Sequence, residues 1–483
     1  MRTLLFSLIL VGSYSFISPA MAWKTEAANF TTHNTFNDSS WQSIGFRQAY
    51  TTTPIVVTVP STSGGDPSTT RVRNVSTSGF EVSPVEPFAR DGVHLAMDSA
   101  YVAIEPGVHL FPDGTVIEAG FVNTSKTQQA SNVSGVNSWE NVTLQHNFGS
   151  PPTIVAAIQT MNNETGENGS QAPSVSSLPW LTIAIDNIAA NSFSVALERS
   201  ESSQGSVTQN EQIGYIAIAQ GAGGSFTDSQ NQSIQFLGET SLTNIRGWSN
   251  GDTTHTFGTP FSSAPVSVFS KNTRNNPDGG WLRRNGSTST TSINLRVDEE
   301  TDNDSERTIT TADAEAAGIL SFSKGFDVNF PPNFTMQKSS SVISDPLNGT
   351  TNPKAIPGAV IEYTLLVTNT GYDYTDNDQF EISDALPPDT ALMVTDIPSG
   401  IGPIGFVDGS TSSNTTWLFS GLSSLTDSID FSTDGSDFSY APTAGGEGTD
   451  AAVTHITLKP KGSFAADPPS NPSAIYTYRV IIQ

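Results

Sequence analysis

The chain has no cysteine among its 483 residues, which excludes disulfide bonds and a cysteine nucleophile. Basic residues are also scarce, with 21 Lys and Arg against 47 Asp and Glu, so the net charge is −26. Such a charge repels nucleic-acid phosphates and anionic lipid, and we expect neither as a partner. After residue 22 no stretch approaches the roughly 18 apolar residues of a membrane-spanning helix, so no membrane span is predicted.

The first 22 residues differ in character from the rest. Arg2 precedes the apolar run "LLFSLILVG", and small residues stand at Ala20 and Ala22. This order is typical of a secretory signal peptide, which we predict to be removed after Ala22. The sequence therefore predicts a secreted protein, extracellular or at the cell surface, with the periplasm left open. The absence of cysteine favours a bacterium.

Turn-forming residues are frequent, with 40 Gly and 29 Pro, and long helical patterns are hard to find. This composition predicts an all-β chain of tandem antiparallel β-sandwiches. One phrase occurs three times: an aromatic residue, a proline four positions later and then a β-branched or apolar run. A proline fits the first residue of a strand, where its missing N–H is harmless. The three copies begin at Tyr50 and Pro54, Phe148 and Pro152, and Phe261 and Pro265.

Two further phrases follow each copy in the same order, and the last ends on Gly107, Gly221 or Gly325. Three phrases in one order at a period of roughly 100 residues indicate internal repeats. Each repeat has about six strands, enough for a small sandwich. We predict repeats over residues 23–120, 121–232 and 233–328, a linker over 329–341 and a further domain over 342–483.

The tail has a different pattern. Residues 356–371 read "IPGAVIEYTLLVTNTG", in which apolar side chains alternate as in a half-buried strand. From Asp345 onward the chain carries 17 acidic and 4 basic residues. About half of the net charge therefore lies on less than a third of the chain.

The repeats resemble the H-type lectin fold. The residues that carry the resemblance are Trp41 with Phe46, the Tyr50 and Pro54 opening, and the stretches "RVRNVSTSGFEV" and "DGVHLAMDSAYVAIEPG". A His-x-x-Glu-x-x-Gly-Tyr ending, typical of bacterial repeats of this kind, is kept in part: Met97 replaces its Glu in the first copy, whereas Glu211 and Glu315 keep it. The resemblance implies a six-stranded antiparallel sandwich that binds sugars through loops near a trimer interface.

The tail resembles an Ig-like repeat of bacterial surface proteins. Its pattern "PGxxxxYTxxVxNxG" is followed by a "D-x-LP" strand end, and the residues that match are Pro357, Gly358, Tyr363, Thr364, Val367, Asn369, Gly371, Asp384, Leu386 and Pro387. This resemblance implies a spacer or adhesion module without chemistry of its own.

Signals for catalysis are weak. The sequence has no His-Glu-x-x-His, Gly-x-Ser-x-Gly or Walker motif, and its six histidines are scattered. A triad assembled from distant parts of the chain is recognised by geometry alone and stays open. The prediction is that the protein is not an enzyme.

Calcium is the candidate ion. The stretch "YDYTDND" places Asp373, Asp376 and Asp378 in one loop, and residues 298–306 are denser still in carboxylates. Calcium takes several oxygen ligands, which one loop can supply, although neither stretch has EF-hand spacing. The alternative interpretation is a solvated acidic turn.

Sugar binding needs an aromatic platform with polar groups beside it, because sugars offer C–H faces and hydroxyls. Three loops offer such groups, and the alternative for each tryptophan is burial in its own sandwich. The candidates are Arg90, Asp91 and His94 in the first repeat, Trp180 in the second, and Asn275, Asp278, Trp281 and Arg283 in the third.

The sequence thus favours a secreted, non-catalytic binding or adhesion protein that recognises glycans or other cell-surface components through tandem sites. A second hypothesis is a structural or scaffold protein whose β-domains are spacers. A third is a lectin-like appendage of an enzyme complex. Homo-oligomerisation is left open.

Overall fold

The structure is a computed structural model. It describes residues 14–17, 22–35, 37, 40–87, 93–164, 178–202, 204–301, 305–397, 400–466 and 470–483. The chain divides into two compact units, Trp23–Asn329 and a second that combines Met1–Ala22 with Phe330–Gln483. Apart from a 3₁₀ turn at Trp248–Asn250, the regular elements described are strands, so the all-β prediction is confirmed. The first of them, β1 (Tyr14–Ile17), belongs to the second unit.

The first repeat is a sandwich of two antiparallel sheets, one with β7 at its centre and one with β6 at its centre. Tyr50, Val56, Phe80 and Tyr101 pack between them. Its strands are β2 (Trp23–Thr31), β3 (Gln42–Gly45), β4 (Ile55–Val59), β5 (Thr69–Arg73), β6 (Gly79–Val85) and β7 (Asp98–Ile104).

The second repeat has the same plan, with β15 and β14 as the two central strands. Ile154, Phe193, Val195 and Tyr215 form much of its core. Its strands are β8 (Gly107–Leu110), β9 (Val116–Thr124), β10 (Thr127–Gln128), β11 (Glu140–Thr143), β12 (Thr153–Ile158), β13 (Thr182–Ala189), β14 (Ser192–Glu198) and β15 (Glu211–Ile218).

The third repeat follows with β22 and β21 at the centres of its sheets. Its strands are β16 (Ala222–Thr227), β17 (Ser233–Thr240), β18 (Thr253–Thr256), β19 (Val266–Lys271), β20 (Trp281–Arg284), β21 (Ser292–Asp298) and β22 (Ala317–Phe322). The next strand along the chain is β23 (Phe326–Phe330).

The opening phrase occupies the same place in all three repeats. The backbone N–H of its aromatic residue donates to a carbonyl in the turn before the central strand of the second sheet. These bonds join Tyr50 to Thr77 at 2.9 Å, Phe148 to Ala190 at 2.9 Å and Phe261 to Thr290 at 2.8 Å. The predicted alignment of the third phrase also agrees with the strand registers, since Tyr101, Tyr215 and Ile319 stand opposite Thr58, Ala156 and Phe269.

The three repeats close into a ring by exchanging strands. The strand that begins at or just after each closing glycine lies in a sheet of the following repeat: β8 pairs with β9 of the second, β16 with β17 of the third, and β23 with β2 of the first. The third repeat is thereby joined to the first. The opening strands β4, β12 and β19 lie against one another where the repeats meet.

Three predicted boundaries are wrong. The division at residues 120 and 121 cuts through β9, and the division at residues 232 and 233 separates β16 from β17, because the hairpins of β8 with β9 and of β16 with β17 belong to the second and third repeats. The predicted linker over 329–341 overlaps an eleven-residue strand, β24 (Phe334–Ser344), whose residues alternate between half-buried and exposed over most of its length. The side of this edge strand that faces solvent carries polar residues, and in the sequence these are indistinguishable from a linker.

The second unit is a sandwich with one large apolar core. Its sheets run β24-β25-β33-β27-β31, with β29 also on β33, and β1-β26-β32-β30. The remaining strands are β25 (Val360–Asn369), β26 (Glu381–Ala385), β27 (Thr390–Met393), β28 (Gly400–Ile401), β29 (Ile404–Asp408), β30 (Ile429–Ser432), β31 (Thr449–Asp450), β32 (His455–Leu458) and β33 (Ser473–Ile482).

The predicted signal peptide contributes β1 to this sandwich, antiparallel to β26, with Tyr14 opposite Asp384 and Ile17 opposite Glu381. Residues 1–13 and 18–21 lie outside the described residues. Removal of the first 22 residues stays a prediction. No helix with the length and hydropathy needed to cross a bilayer occurs in the part of the chain that the structure describes.

Candidate functional site

The two tryptophans predicted as sugar platforms are buried. Trp180 is 2% exposed and Trp281 5%, and their rings meet edge to face at 5.6 Å. They pack with Trp41, Val85 and Met161, so this cluster draws on all three repeats. The indole N–H of Trp281 also donates to the carbonyl of Ser68 in the first repeat at 2.9 Å. Neither ring can stack on a sugar, and the predicted role of both is wrong.

Arg283 is a clamp between repeats and has no exposed surface. Its guanidinium donates to the carbonyls of Ser61, Ser63 and Asp66 at 2.8–3.0 Å and pairs with Asp298 at 2.7 Å. The N–H groups of Arg283 are thus already bonded to carbonyls of the first repeat and are not available to a sugar, so the predicted ligand-binding role of Arg283 is wrong.

His94 is also part of the core of the ring. Its Nε2 lies 2.9 Å from the Ser68 hydroxyl, and its Nδ1 lies 2.7 Å from the Leu95 carbonyl. Burial lowers the pKa of His94 to about 4, so the ring is neutral at physiological pH. His94, predicted to bind the ligand, is therefore buried within the ring, and Arg90 and Asp91 lie outside the described residues.

Of the four residues predicted in the third-repeat loop, Asn275 and Asp278 reach the surface. Asn275 is exposed, although its amide donates to the Ala314 carbonyl at 2.8 Å, and Asp278 is half-buried. Glu315 holds this loop by accepting the backbone N–H groups of Asn275 and Asn276 at 3.2 and 3.1 Å. The glutamate of the closing pattern is therefore a buried loop anchor.

Two of the three predicted calcium ligands accept backbone N–H groups with their side chains, each in a different place. Asp373 Oδ1 accepts the N–H of Tyr374 at 2.8 Å, and Asp378 Oδ1 accepts the N–H of Gly462 at 2.6 Å. Asp376 accepts through its backbone carbonyl from Gln379. Within the described ranges, no group of three or more His, Cys, Asp or Glu side chains is arranged to hold a metal ion. The structure thus does not assemble Asp373, Asp376 and Asp378 into a calcium site.

A groove of about 370 Å³ opens where the third repeat joins the first. Backbone bonds bring the two together here: the N–H of Arg284 donates to the Pro60 carbonyl at 3.1 Å, and the N–H of Thr62 donates back to the Arg284 carbonyl at 2.9 Å. This junction groove is lined by Asn29, Phe30, Asp98, Arg284 and Thr288, among others.

The junction groove holds polar groups with spare capacity. Arg284 gives one bond to the Asp98 carbonyl at 3.1 Å, but its Nε–H is buried without a partner among the described residues. The hydroxyl of Thr288 is buried and unpaired in the same sense. The Asp98 carboxylate is exposed and accepts from Thr31 at 3.0 Å. Burial lowers the pKa of Arg284, and a guanidinium stays charged in proteins.

These groups can recognise a ligand rich in hydroxyls. The guanidinium donates, the carboxylate accepts and the threonine does either, while half-buried Phe30 adds apolar surface. Sequence reasoning missed the groove because Asp98 and Arg284 are 186 residues apart and meet only when the ring closes. The only signal in the sequence was the third repeat's "WLRR", whose first Arg points into the ring and whose second lines the groove.

Comparison with known proteins places few constraints. No known protein family matches the chain, and no solved structure matches it. The chain is similar to halomucin of Haloquadratum walsbyi (strain DSM 16790 / HBSQ001), at 24% identity over 343 residues. This alignment covers 66% of the chain but 3% of halomucin.

Proposed function

We propose that the chain is a non-catalytic glycan-binding protein that acts outside the cell or at its surface, and that it binds in the junction groove. The observation that carries the proposal is the pair of buried, unpaired donors in that groove, Arg284 Nε–H and the Thr288 hydroxyl. A buried polar group without a partner costs about 1–3 kcal/mol, which a ligand oxygen would recover. The similarity to halomucin and the predicted signal peptide support the location.

The groove suits a sugar better than an apolar ligand. Its lining combines three short hydroxyl side chains, Thr31, Ser287 and Thr288, with two charged residues, Asp98 and Arg284. Hydrogen bonds to charged groups are about twice as strong as neutral ones and give direction as well as affinity. The resemblance of the repeats to H-type lectins, with sugar bound by loops near a trimer interface, is in line with a site at a junction between repeats.

The test is a glycan array probed with the mature chain, followed by titration of any bound glycan with variants. Asp98→Asn removes one charged acceptor at the surface, and Thr288→Val removes one donor while preserving shape. We expect each to weaken binding about tenfold, equivalent to about 1.4 kcal/mol. Asp113→Asn is the matched control, because Asp113 is an exposed aspartate outside the groove.

Two results would contradict the proposal. Binding that survives both groove variants would move the site elsewhere, with the loop of Asn275 and Asp278 as the next candidate. A mature chain that binds no glycan at millimolar concentration would favour the scaffold hypothesis, in which the sandwiches act as spacers.

A further inference from the structure

A second cavity lies inside the ring, where the opening strands of the three repeats meet. It has a volume of about 70 Å³ and is lined by residues of β4, β5, β12, β13, β19 and β20. A cavity needs roughly 10–15 Å³ of such volume to hold one water molecule, so the central cavity has room for a particle of that size or larger. It is distinct from the junction groove, with which it shares no lining residue.

The central cavity contains donors that the protein leaves unpaired. Arg71 is 2% exposed, and its Nη atoms donate to the carbonyls of Leu181 and Thr160 at 2.7 and 3.0 Å, but its Nε–H has no partner among the described residues. Thr182 is 6% exposed, and its hydroxyl is likewise unpaired. Both side chains line the cavity.

The charged side chains that line the cavity are both cationic, Arg71 and Lys271. Each cation has an acidic partner behind it, since Arg71 pairs with Glu164 and Lys271 Nζ lies 3.2 Å from Glu315 Oε1. Burial raises the pKa of Glu164 to about 8, although the guanidinium of Arg71 opposes the shift.

The unpaired donors and the two cationic side chains favour an anion over water as the occupant of the central cavity. Water needs donors and acceptors around it, typically two to four partners, whereas an anion needs only donors and is attracted by the two cations. The hydroxyls of Thr58 and Thr70, which also line the cavity, bond each other at 3.1 Å. We propose that the central cavity binds a single halide ion, chloride under ordinary conditions, held by Arg71 Nε–H and the Thr182 hydroxyl.

A halide at this position ties the repeats together, because Arg71 belongs to the first repeat, Thr182 to the second and Lys271 to the third. A ligand that binds the folded ring and not the unfolded chain raises stability by mass action. The ring should therefore be more stable in chloride than in an equal concentration of a large organic anion.

Crystals of the intact chain grown or soaked in bromide test the site directly. An anomalous peak within hydrogen-bond distance of Arg71 Nε and Thr182 Oγ1 would support the proposal, and a cavity without such a peak would overturn it in favour of water. Soaking does not depend on glycan binding, so failure here leaves the junction groove untouched.

Thermal unfolding in sodium chloride and sodium gluconate at matched ionic strength tests the energetic consequence. We expect the midpoint to rise with chloride relative to gluconate, and Thr182→Val to remove at least half of that difference. Thr25→Val is the matched control: Thr25 is buried in the first repeat and donates to the Ala103 carbonyl at 3.0 Å, outside the cavity. It should lower the midpoint equally in both salts. A chloride effect equal in wild type and Thr182→Val would overturn the assignment.

Discussion

The two compact units differ in the interactions that stabilise each of them internally. In the ring, buried ion pairs join neighbouring repeats, Arg71 with Glu164 and Arg274 with Glu198, and a tryptophan cluster draws on all three. In the second unit one continuous apolar cluster, which includes Phe380 and Phe431, spans both sheets. Neither unit has a disulfide, because the chain has no cysteine.

The difference concerns where stability resides. A sandwich of about 100 residues buries a modest core, so each repeat depends on what it buries against its neighbours. A buried charge left without its partner is strongly destabilising, which makes the junctions all-or-none. We therefore expect the ring to unfold as one unit, and damage at one junction to be felt in all three repeats.

The largest effect is expected when one buried aromatic side chain is truncated in each unit in turn. Trp281→Ala should lower the stability of the ring by about 3–5 kcal/mol, because it empties the centre of the tryptophan cluster. Phe431→Ala should cost a similar amount in the second unit. Calorimetry should show each variant moving a different transition. Leu418→Ala, at an exposed position, should move neither by more than about 0.5 kcal/mol. A single transition shifted by both variants would remove the distinction.

Acid should weaken the ring through a buried histidine. His109 stacks on Trp23 at 4.6 Å, and burial lowers its pKa to about 4 from the ordinary 6.5. The unfolded chain therefore takes up the proton first, and stability present above pH 6.5 is lost as the pH falls towards 4. The loss is on the order of 3 kcal/mol.

His109→Phe keeps an aromatic ring against Trp23 and removes the titration. Urea unfolding at a series of pH values should show a smaller loss between pH 6.5 and 4 in the variant than in wild type. The transition of the second unit serves as internal control, since His109 lies in the ring. Equal acid sensitivity of wild type and variant would show that the histidine is not the cause.

A glycine at a junction tests how tightly the repeats approach. A Cβ at Gly318 would lie 2.2 Å from the Ile154 carbonyl and 2.5 Å from Asn272 Oδ1, and Asn272 bonds the backbone of Ile154 in the second repeat. Gly318→Ala should cost about 1–3 kcal/mol through overpacking. Gly45→Ala, with open space around it, is the control. A Gly318 variant as stable as that control would mean that the junction can loosen.

The smallest effect is expected from metal removal. Asp373, Asp376 and Asp378 lie in the second unit but are not arranged to hold a metal ion, so EDTA should leave both melting midpoints unchanged. A midpoint that falls in EDTA and recovers with calcium would restore the calcium hypothesis.

The three repeats could be predicted from the sequence because the patterns that define them involve residues close together in the chain. An aromatic residue before a strand-opening proline acts within a few residues, and alternating apolar side chains mark a strand wherever it lies. Even a difference between the copies follows this logic. Tyr101 donates to buried Glu26 at 2.6 Å in the first repeat and Tyr215 donates to buried Glu118 at 3.2 Å in the second, whereas Ile319 stands at the tyrosine position in the third and has no hydroxyl to donate.

The predicted site failed for a physical reason. A tryptophan with polar neighbours in a loop has the same local pattern whether it faces solvent or a neighbouring repeat. Trp180, Trp281 and Arg283 face neighbours because β8, β16 and β23 cross between sheets and bring the loops together. Nothing within a single repeat encodes that crossing.

An acidic, cysteine-free, all-β chain with three repeats of similar build and a different tail could be predicted from the residues alone. The fold was needed to show that the repeats form a ring, which of their aromatic and charged side chains are buried at the junctions, and where a groove and a cavity remain. Strand periodicity and turn chemistry are properties of neighbouring residues, but burial between repeats depends on residues more than 100 positions apart, such as Trp281 and Ser68.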